Sequence, residues 1–330
     1  MCTAITYQTK DHYFGRNLDL EYSYQETVTI TPRNYPLLFR KEQTLHHHYA
    51  MIGMALVEDG YPLYYDATNE KGLSIAGLNF PGNAVYYPFK EGADNITPFE
   101  LIPWILGQCV TVADAEIKLK RLNLLDLPFS REYPLSPLHW IVADRERSIV
   151  VEPMVEGLRI CDNPVGVLTN NPPFDYHMYN LKNYMNLTRD EPVSRFSDGL
   201  SLSPYSRGMG AIGLPGDLSS GSRFVRAAFT KLNAVSGDTE SESISQFFHI
   251  LGSVAQQQGC VRVGSDYEKT VYSSCCNTDK GIYYYTTYEN SQITAVDMFS
   301  EDLNGSRVIC YPLVAGQQIY YQNLRIPEAY

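Results

Sequence analysis

The sequence predicts an α+β protein, and three observations carry that reading. Several segments open with helix-capping residues, runs rich in Val, Ile, Thr and Tyr recur at hairpin spacing, and Pro and Gly are dispersed. Long helices mixed with closely spaced strands fit two antiparallel sheets covered by helices. With 330 residues the chain has ample length for a core. No linker, internal repeat or low-complexity tract divides it, so residues 1–330 are expected to form a single domain.

Taken in order, the elements begin with a hairpin. Residues 2–9 and 12–21 are two β-rich runs around the polar turn at Lys10 and Asp11. A helix start follows at Thr97-Pro98-Phe99-Glu100, with Thr as N-cap, Pro in the first turn and Glu placed for a capping box; this helix runs through Leu106. Thr111 to Asp114 opens a second helix, expected to reach about Leu125. Strands are expected at 148–151, 157–160 and 166–169. Ser222 caps a third helix through Leu232, and a fourth spans Ser241 to Gln258. Strands at 270–272, 281–285 and 293–297 complete the pattern.

The chemistry starts at Cys2, directly behind Met1. Removal of Met1 would leave a thiol and a free α-amine on one residue, and their reference pKa values, about 8.5 and 7.7–8.0, let each hold the proton the other gives up. Methionine aminopeptidases accept small second residues, so no self-cleaving propeptide is required. Taken alone, Cys2 fits a small buried hydrophobe better. Folding the hairpin brings residues 16–19 opposite residue 2, where Arg16 could stabilise a thiolate and Asp19 could orient the α-ammonium. Positions 16 and 19 have opposite parity, so an ideal strand sends them to opposite faces. A bulge at Gly15 is the expected remedy; a surface Arg and Asp is the alternative.

A series of motifs now lines up. Met1 to Ile5, Phe14-Gly-Arg-Asn-Leu-Asp19, Ala76-Gly-Leu-Asn-Phe-Pro81, Leu168-Thr-Asn-Asn-Pro172 and Ser222-Arg-Phe-Val-Arg226 resemble, in order and nearly end to end, the choloylglycine hydrolases, in particular the bile salt hydrolases of gut bacteria. The resemblance implies an N-terminal nucleophile hydrolase with a four-layer αββα fold, two antiparallel sheets between helix layers. It implies cleavage of the amide joining a bile acid to glycine or taurine, with taurocholate and glycocholate as substrates. Carried over position by position, the implied catalytic residues are Cys2, Arg16, Asp19, Asn79, Asn170 and Arg223. A homotetramer in the bacterial cytoplasm is implied as well, with no cofactor and no metal.

The residue types suit that chemistry. Attack on an amide puts negative charge on its oxygen, and preorganised N–H donors stabilise it. Asn170 follows the run 166–169 and Asn79 precedes the turn Phe80-Pro81-Gly82, so both stand where donors could face a cleft; hydrogen bonding to their own turns is the alternative. Arg223 sits at a helix start, where a cation gains nothing from the macrodipole, so a partner is expected to hold it. With 26 Tyr and 13 Phe the chain is rich in groups that join an apolar face to a polar tip, suited to a hydroxylated steroid. Leu18, Leu20, Tyr24, Tyr65, Phe129 and Tyr133 fall in segments that the resemblance aligns with the pocket loops.

Composition narrows the rest. A net charge of −11 argues against nucleic acid, and no long apolar run or basic-then-apolar N-terminus points to a membrane or to export. Anionic bile salts gain nothing from that overall field, so steroid burial must supply affinity. About 300 Å² of apolar surface at about 25 cal/mol per Å² gives roughly 7 kcal/mol, before association costs of similar size. The seven cysteines show no metal or redox spacing, and Cys275–Cys276 are expected in the core. His46 to His48 read as a solvated loop, and the glycines from Gly208 to Gly221 lack a phosphate-loop ending. The rivals are a penicillin V acylase with the same catalytic set and a non-catalytic steroid- or lipid-binding protein.

Overall fold

The computed structural model describes residues 1–323. In chain order its strands are β1 (Cys2–Gln8), β2 (His12–Leu20), β3 (Thr27–Thr31), β4 (Met51–Glu58), β5 (Tyr61–Asn69), β6 (Ser74–Asn79), β7 (Asp94–Ile96), β8 (Leu122–Leu124), β9 (Leu138–Ala143), β10 (Ser148–Met154), β11 (Gly157–Asp162), β12 (Val167–Leu168), β13 (Val261–Val263), β14 (Asp266–Asn277), β15 (Ile282–Thr287), β16 (Asn290–Asp297) and β17 (Ile309–Pro312). The α-helices are α1 (Leu101–Leu106), α2 (Val112–Leu119), α3 (Phe174–Asn180), α4 (Ser220–Asn233) and α5 (Glu240–Gly252).

Two antiparallel sheets form the centre. One runs β12-β1-β2-β14-β15-β16 with β13 on β14; the other runs β11-β10-β9-β6-β5-β4-β3-β17. One contiguous core joins Phe14 and Tyr272 of the first sheet to Ile30, Ile52 and Ile141 of the second and continues on the first sheet's other face, where Ile5 meets Phe224, Phe247 and Leu251 of α4 and α5. A second core packs Ile75, Trp140 and Val151 against Leu101 and Ile105 of α1 and Val112 and Leu119 of α2. The layers therefore read helix, sheet, sheet, helix, and the expected αββα order holds.

The first hairpin is regular from Cys2↔Leu18 to Gln8↔His12. No bulge interrupts it at Gly15. The irregularity lies on the neighbouring strand, between Thr270 and Tyr272, opposite Asp19 and Leu18. Gly15 serves a different need: a Cβ there would stand 2.0 Å from the Ser274 carbonyl oxygen, so its absence lets β14 close on β2.

Helix starts are placed well and ends less so. At the first, Glu100 accepts from the Thr97 backbone N–H at 2.9 Å, as a capping box requires. The second helix stops at Leu119 rather than Leu125, because Leu122–Leu124 leave it to pair in parallel with β7. The third begins one residue after Ser219, three positions before the expected cap at Ser222. The fourth is capped by Thr239, whose hydroxyl accepts from Glu242 N, and ends at Gly252, six residues short of Gln258. Cys275 and Cys276 are buried in the core, where burial pushes both thiols up. His46 and His47 are exposed, but His48 is not solvated: its ring is buried between the carbonyls of Tyr49 and Tyr35, each 2.8 Å away.

Candidate active site

Because β1 and β2 are regular, parity sorts the site into two sides. Cys2, Ala4, Arg16 and Leu18 face the second sheet; Thr3, Asn17 and Asp19 face the helices, where Asn17 donates to Leu251 O of α5 at 3.0 Å. Arg16 and Asp19 thus flank Cys2 from opposite faces of the sheet, Arg16 on the thiol side and Asp19 on the side of α4. The parity obstacle disappears without a distortion.

On the thiol side, Arg16 is fully buried and donates through Nη1 to Gly77 O at 2.5 Å and Tyr65 O at 3.1 Å, both on the second sheet. Its Nη2 has no protein partner. Burial alone would push the guanidinium pKa down, yet Cys2, Tyr272, Asp66 and Asp19 around it hold it above its ordinary value. Asp66 is the carboxylate that sequence reasoning missed. It accepts from Tyr272 Oη and Tyr283 Oη, each at 2.7 Å, and from Ser274 Oγ at 3.3 Å. Burial raises its pKa, against the pull of Arg16 and the hydroxyls.

On the helix side, Arg223 sits in the first turn of α4 with no exposed surface and reaches back to β1. Nη1 donates to Cys2 O at 2.6 Å and Thr3 Oγ1 at 2.7 Å, Nη2 to Asn170 Oδ1 at 2.8 Å, and Nε to Leu218 O at 3.0 Å. The expected partner of this helix-start arginine is therefore the chain's own N-terminus. Asp19 Oδ2 lies 4.0 Å from Arg223 Nη1, while Oδ1 accepts from Thr270 Oγ1 at 2.6 Å. Burial raises the Asp19 pKa, and the Arg223 charge opposes that rise. Two buried cations, Arg16 and Arg223, are thereby matched by two buried carboxylates, Asp19 and Asp66.

Asn170 joins the two halves. Its Oδ1 accepts from Cys2 N at 2.8 Å, and its Nδ2 donates to Asn79 O at 2.7 Å. That Nδ2 is committed to a backbone carbonyl rather than standing open in the cleft. Asn79, at the end of β6, is exposed and lines the same cavity as Cys2. All six motif-derived residues are thus assembled around the N-terminus. Met1 extends β1 by one residue: its ammonium donates to Asp19 O at 2.7 Å and pairs with buried Glu268, and its carbonyl accepts from Asp19 N at 2.9 Å.

Cys2 and Arg16 line a cavity of about 340 Å³, within the range of small-molecule sites. Leu18, Leu20, Tyr24, Tyr65, Phe129 and Tyr133 all line it. Leu56, Leu63, Phe99 and Leu135, which sequence reasoning did not single out, add to a mostly apolar wall. The outer rim is braced by aromatic contacts: Phe129 packs edge-on against Phe99 with centroids 5.2 Å apart, and Arg40 lies over Phe129 at 5.5 Å. No local signal marked these residues, since the rim is assembled from strands and loops far apart in sequence.

The comparisons with known proteins now bear on this site. The bile salt hydrolase/transferase of Lactiplantibacillus plantarum is 60% identical over 324 residues, 98% of this chain and 100% of that protein. The bile salt hydrolase/transferase of Clostridium perfringens is 42% identical, covering 94% of this chain and 96% of its own. A solved structure of a mutant conjugated bile acid hydrolase from Clostridium perfringens superposes with a TM-score of 0.91 at 39% identity, over 98% of this chain and 100% of that one. Penicillin V acylase from Agrobacterium tumefaciens shares the fold, with a TM-score of 0.75 at 18% identity over 97% and 94% of the two chains. Matched from residue 2 to residue 311 by the pattern of the linear amide C–N hydrolases, with its N-terminal Cys2 held by Asn170 and Arg223, the chain belongs to the choloylglycine hydrolase family.

Proposed function

We propose that this chain is a bile salt hydrolase that cleaves glycine- and taurine-conjugated bile acids through a thioester at Cys2. The observation that carries the reading is the meeting of two features at one residue: Cys2 N is held by Asn170, and Cys2 lines a mostly apolar cavity. With Met1 removed, Cys2 presents an amine and a thiol together. The thiol proton passes to the amine as sulfur attacks the amide carbon. The amine then delivers that proton to the departing glycine or taurine nitrogen, leaving an acyl thioester and a free amino acid. Water attacks the thioester, regenerating the thiol and releasing the bile acid.

In this mechanism Arg16 stabilises the thiolate, Asp19 and Asn170 orient the amine, Arg223 holds the Cys2 carbonyl and the Thr3 hydroxyl, and Asn79 stands beside the reacting amide. Nucleophile and base both come from Cys2, so the proposed steps call for neither metal nor cofactor. The steroid occupies the cavity lined by Leu18, Leu20, Tyr24, Tyr65, Phe129 and Tyr133. A thioester is open to amines as well as to water, which suits the double name of the 60% identical relative and favours acyl transfer as a second outcome at the same site.

We place the protein in the cytoplasm as a homotetramer. Among the described residues no helix is long and apolar enough to cross a membrane. The segment from Met185 to Tyr205 exposes Met185, Val193, Phe196 and Tyr205, each more than three quarters open to solvent, which supports association with other copies. The deciding experiment is hydrolysis of taurocholate, glycocholate and penicillin V beside an intact-mass measurement. Turnover of the conjugates by protein lacking Met1 is expected. Preference for penicillin V would overturn the substrate, and full activity with Met1 retained would overturn the mechanism.

A further inference from the structure

Behind Asn170 stand two buried histidines that the proposed chemistry does not use. His177, in α3, directs Nε2 at Asn170 O at 2.9 Å; His139, in β9, directs Nε2 at the adjacent Thr169 O, also at 2.9 Å. Both acceptors are carbonyls, so both histidines donate. Each ring also stacks on an aromatic residue one position from a site residue. His139 lies flat on Phe80, next to Asn79, with centroids 4.2 Å apart and an interplanar angle of 5°. His177 lies on Phe224, next to Arg223, at 4.7 Å and 19°. Neither histidine has exposed surface.

Glu152 completes the arrangement from β10. Its Oε1 accepts from the Phe174 backbone N–H at 2.9 Å, at the start of α3, and faces His139 Nδ1 at 3.2 Å. Both ring nitrogens of His139 therefore face oxygens, Thr169 O at 2.9 Å and Glu152 Oε1 at 3.2 Å. His177 is the neutral partner: burial pushes its pKa down to about 4, so Nε2 carries its single proton and Nδ1, which has no protein partner, carries none.

We propose that His139 and His177 are positioning residues that clamp the Thr169–Asn170 backbone between the segments carrying Asn79 and Arg223, and so set the angle at which Asn170 holds the Cys2 amine. The inference rests on the reading of Cys2 as nucleophile. Asn170 must present one oxygen to both Cys2 N and Arg223 while its Nδ2 holds Asn79 O, and a side chain has no freedom left to absorb a shift of its own backbone. The two histidines fix that backbone from two directions, each tying it to a different neighbour.

The test uses His177→Phe and His139→Phe, which keep a ring for stacking and remove the donor. With Cys2 titrated by iodoacetamide to count competent sites, kcat per site should fall by about 10- to 100-fold while KM for glycocholate stays within about twofold. The pH profile of Cys2 alkylation should shift in the same variants. His177→Gln, which keeps an N–H donor, should recover most of the lost kcat. Unchanged kcat per site in the Phe variants overturns the clamp, as does a loss explained wholly by fewer competent sites. If one Phe variant fails to accumulate as folded protein, the other decides in the same terms. Wild-type protein inert on every conjugate would instead overturn the substrate reading, while the alkylation profiles would still judge the clamp.

Discussion

Arg223 Nη2 and Asn170 Oδ1 meet at 2.8 Å, and that same oxygen takes Cys2 N, also at 2.8 Å. One acceptor thus sees a full positive charge on one side and the reacting residue's nitrogen on the other. The arrangement leaves the Cys2 nitrogen oriented by an amide that is itself held by a buried cation. A fixed guanidinium fork is needed to reach Asn170, Thr3, Cys2 and Leu218 together.

Arg223→Lys is therefore expected to behave as a severe change despite keeping the charge. An ammonium is a compact point donor that cannot span four acceptors, and the acceptors it abandons remain buried. The expected loss in kcat is on the order of 10²-fold, with a fall in thermal midpoint. Steady-state kinetics beside a melting curve checks it; a variant within threefold of wild type would show that the fork geometry is unimportant.

Gly15→Ala tests the fold beneath the site. The added Cβ would lie 2.0 Å from Ser274 O, 2.6 Å from Ser274 C and 2.9 Å from Cys275 Cα, all backbone atoms of β14 that cannot rotate away. Strand separation is the only relief, so a cost of about 3 kcal/mol or more is expected. Urea unfolding measures this directly. A change below about 1 kcal/mol would mean that β14 is not closed on β2 as described.

What the sequence makes legible here follows from range. Cys2, Arg16 and Asp19 could be read together because a short polar turn at Lys10 and Asp11 places them on one hairpin. Asn79, Asn170 and Arg223 were reachable only through a resemblance, since nothing local distinguishes them from turn asparagines and a surface arginine. Asp66 and Thr270 escaped altogether: Thr270 lies 251 residues from Asp19, and its bulge arises from pairing that no local pattern encodes. Helix ends were over-extended where apolar residues continue, as at Leu122 and Leu124, because the parallel pairing with β7 that claims them is likewise non-local.

The stability of the protein should fall in mild acid, and His12 lets one contribution be isolated. His12 is buried at the start of β2, an interior strand of the first sheet, near Asp279, Asp144, Arg145 and Lys231, and burial pushes its pKa down to about 4. Its unfolded value is about 6.5, so between about 6.5 and 4 the unfolded chain binds more protons than the folded one. Stability is then complete above about pH 6.5 and declines as pH falls through that window, by about 2 kcal/mol for this histidine between pH 7 and pH 5. His177 acts with the same sign. Asp19 and Asp66, whose carboxyls burial raises, act with the opposite sign, because acid relieves their buried charge. His12→Gln should therefore lose less stability than wild type between pH 7 and pH 5. Equal losses in urea midpoints would place the acid sensitivity elsewhere.

Asn79 offers the sharpest test of substrate choice. Its backbone carbonyl is held by Asn170 Nδ2, so the residue's main chain is part of the fixed frame, while its exposed side chain lines the cavity beside Cys2. The resemblance to bile salt hydrolases rests in part on Asn79 within the motif Gly77-Leu78-Asn79-Phe80. A tyrosine would keep the backbone contact to Asn170 and fill the space through which a bulky acyl chain approaches the sulfur. Asn79→Tyr is therefore expected to lower kcat/KM for glycocholate by tenfold or more, corresponding to about 1.4 kcal/mol of transition-state stabilisation, with a smaller effect on any penicillin V hydrolysis. The measurement is the ratio of the two specificity constants in wild type and mutant. A ratio that the substitution leaves unmoved would remove Asn79 from discrimination and shift it to the cavity wall at Tyr24, Tyr65 and Phe129.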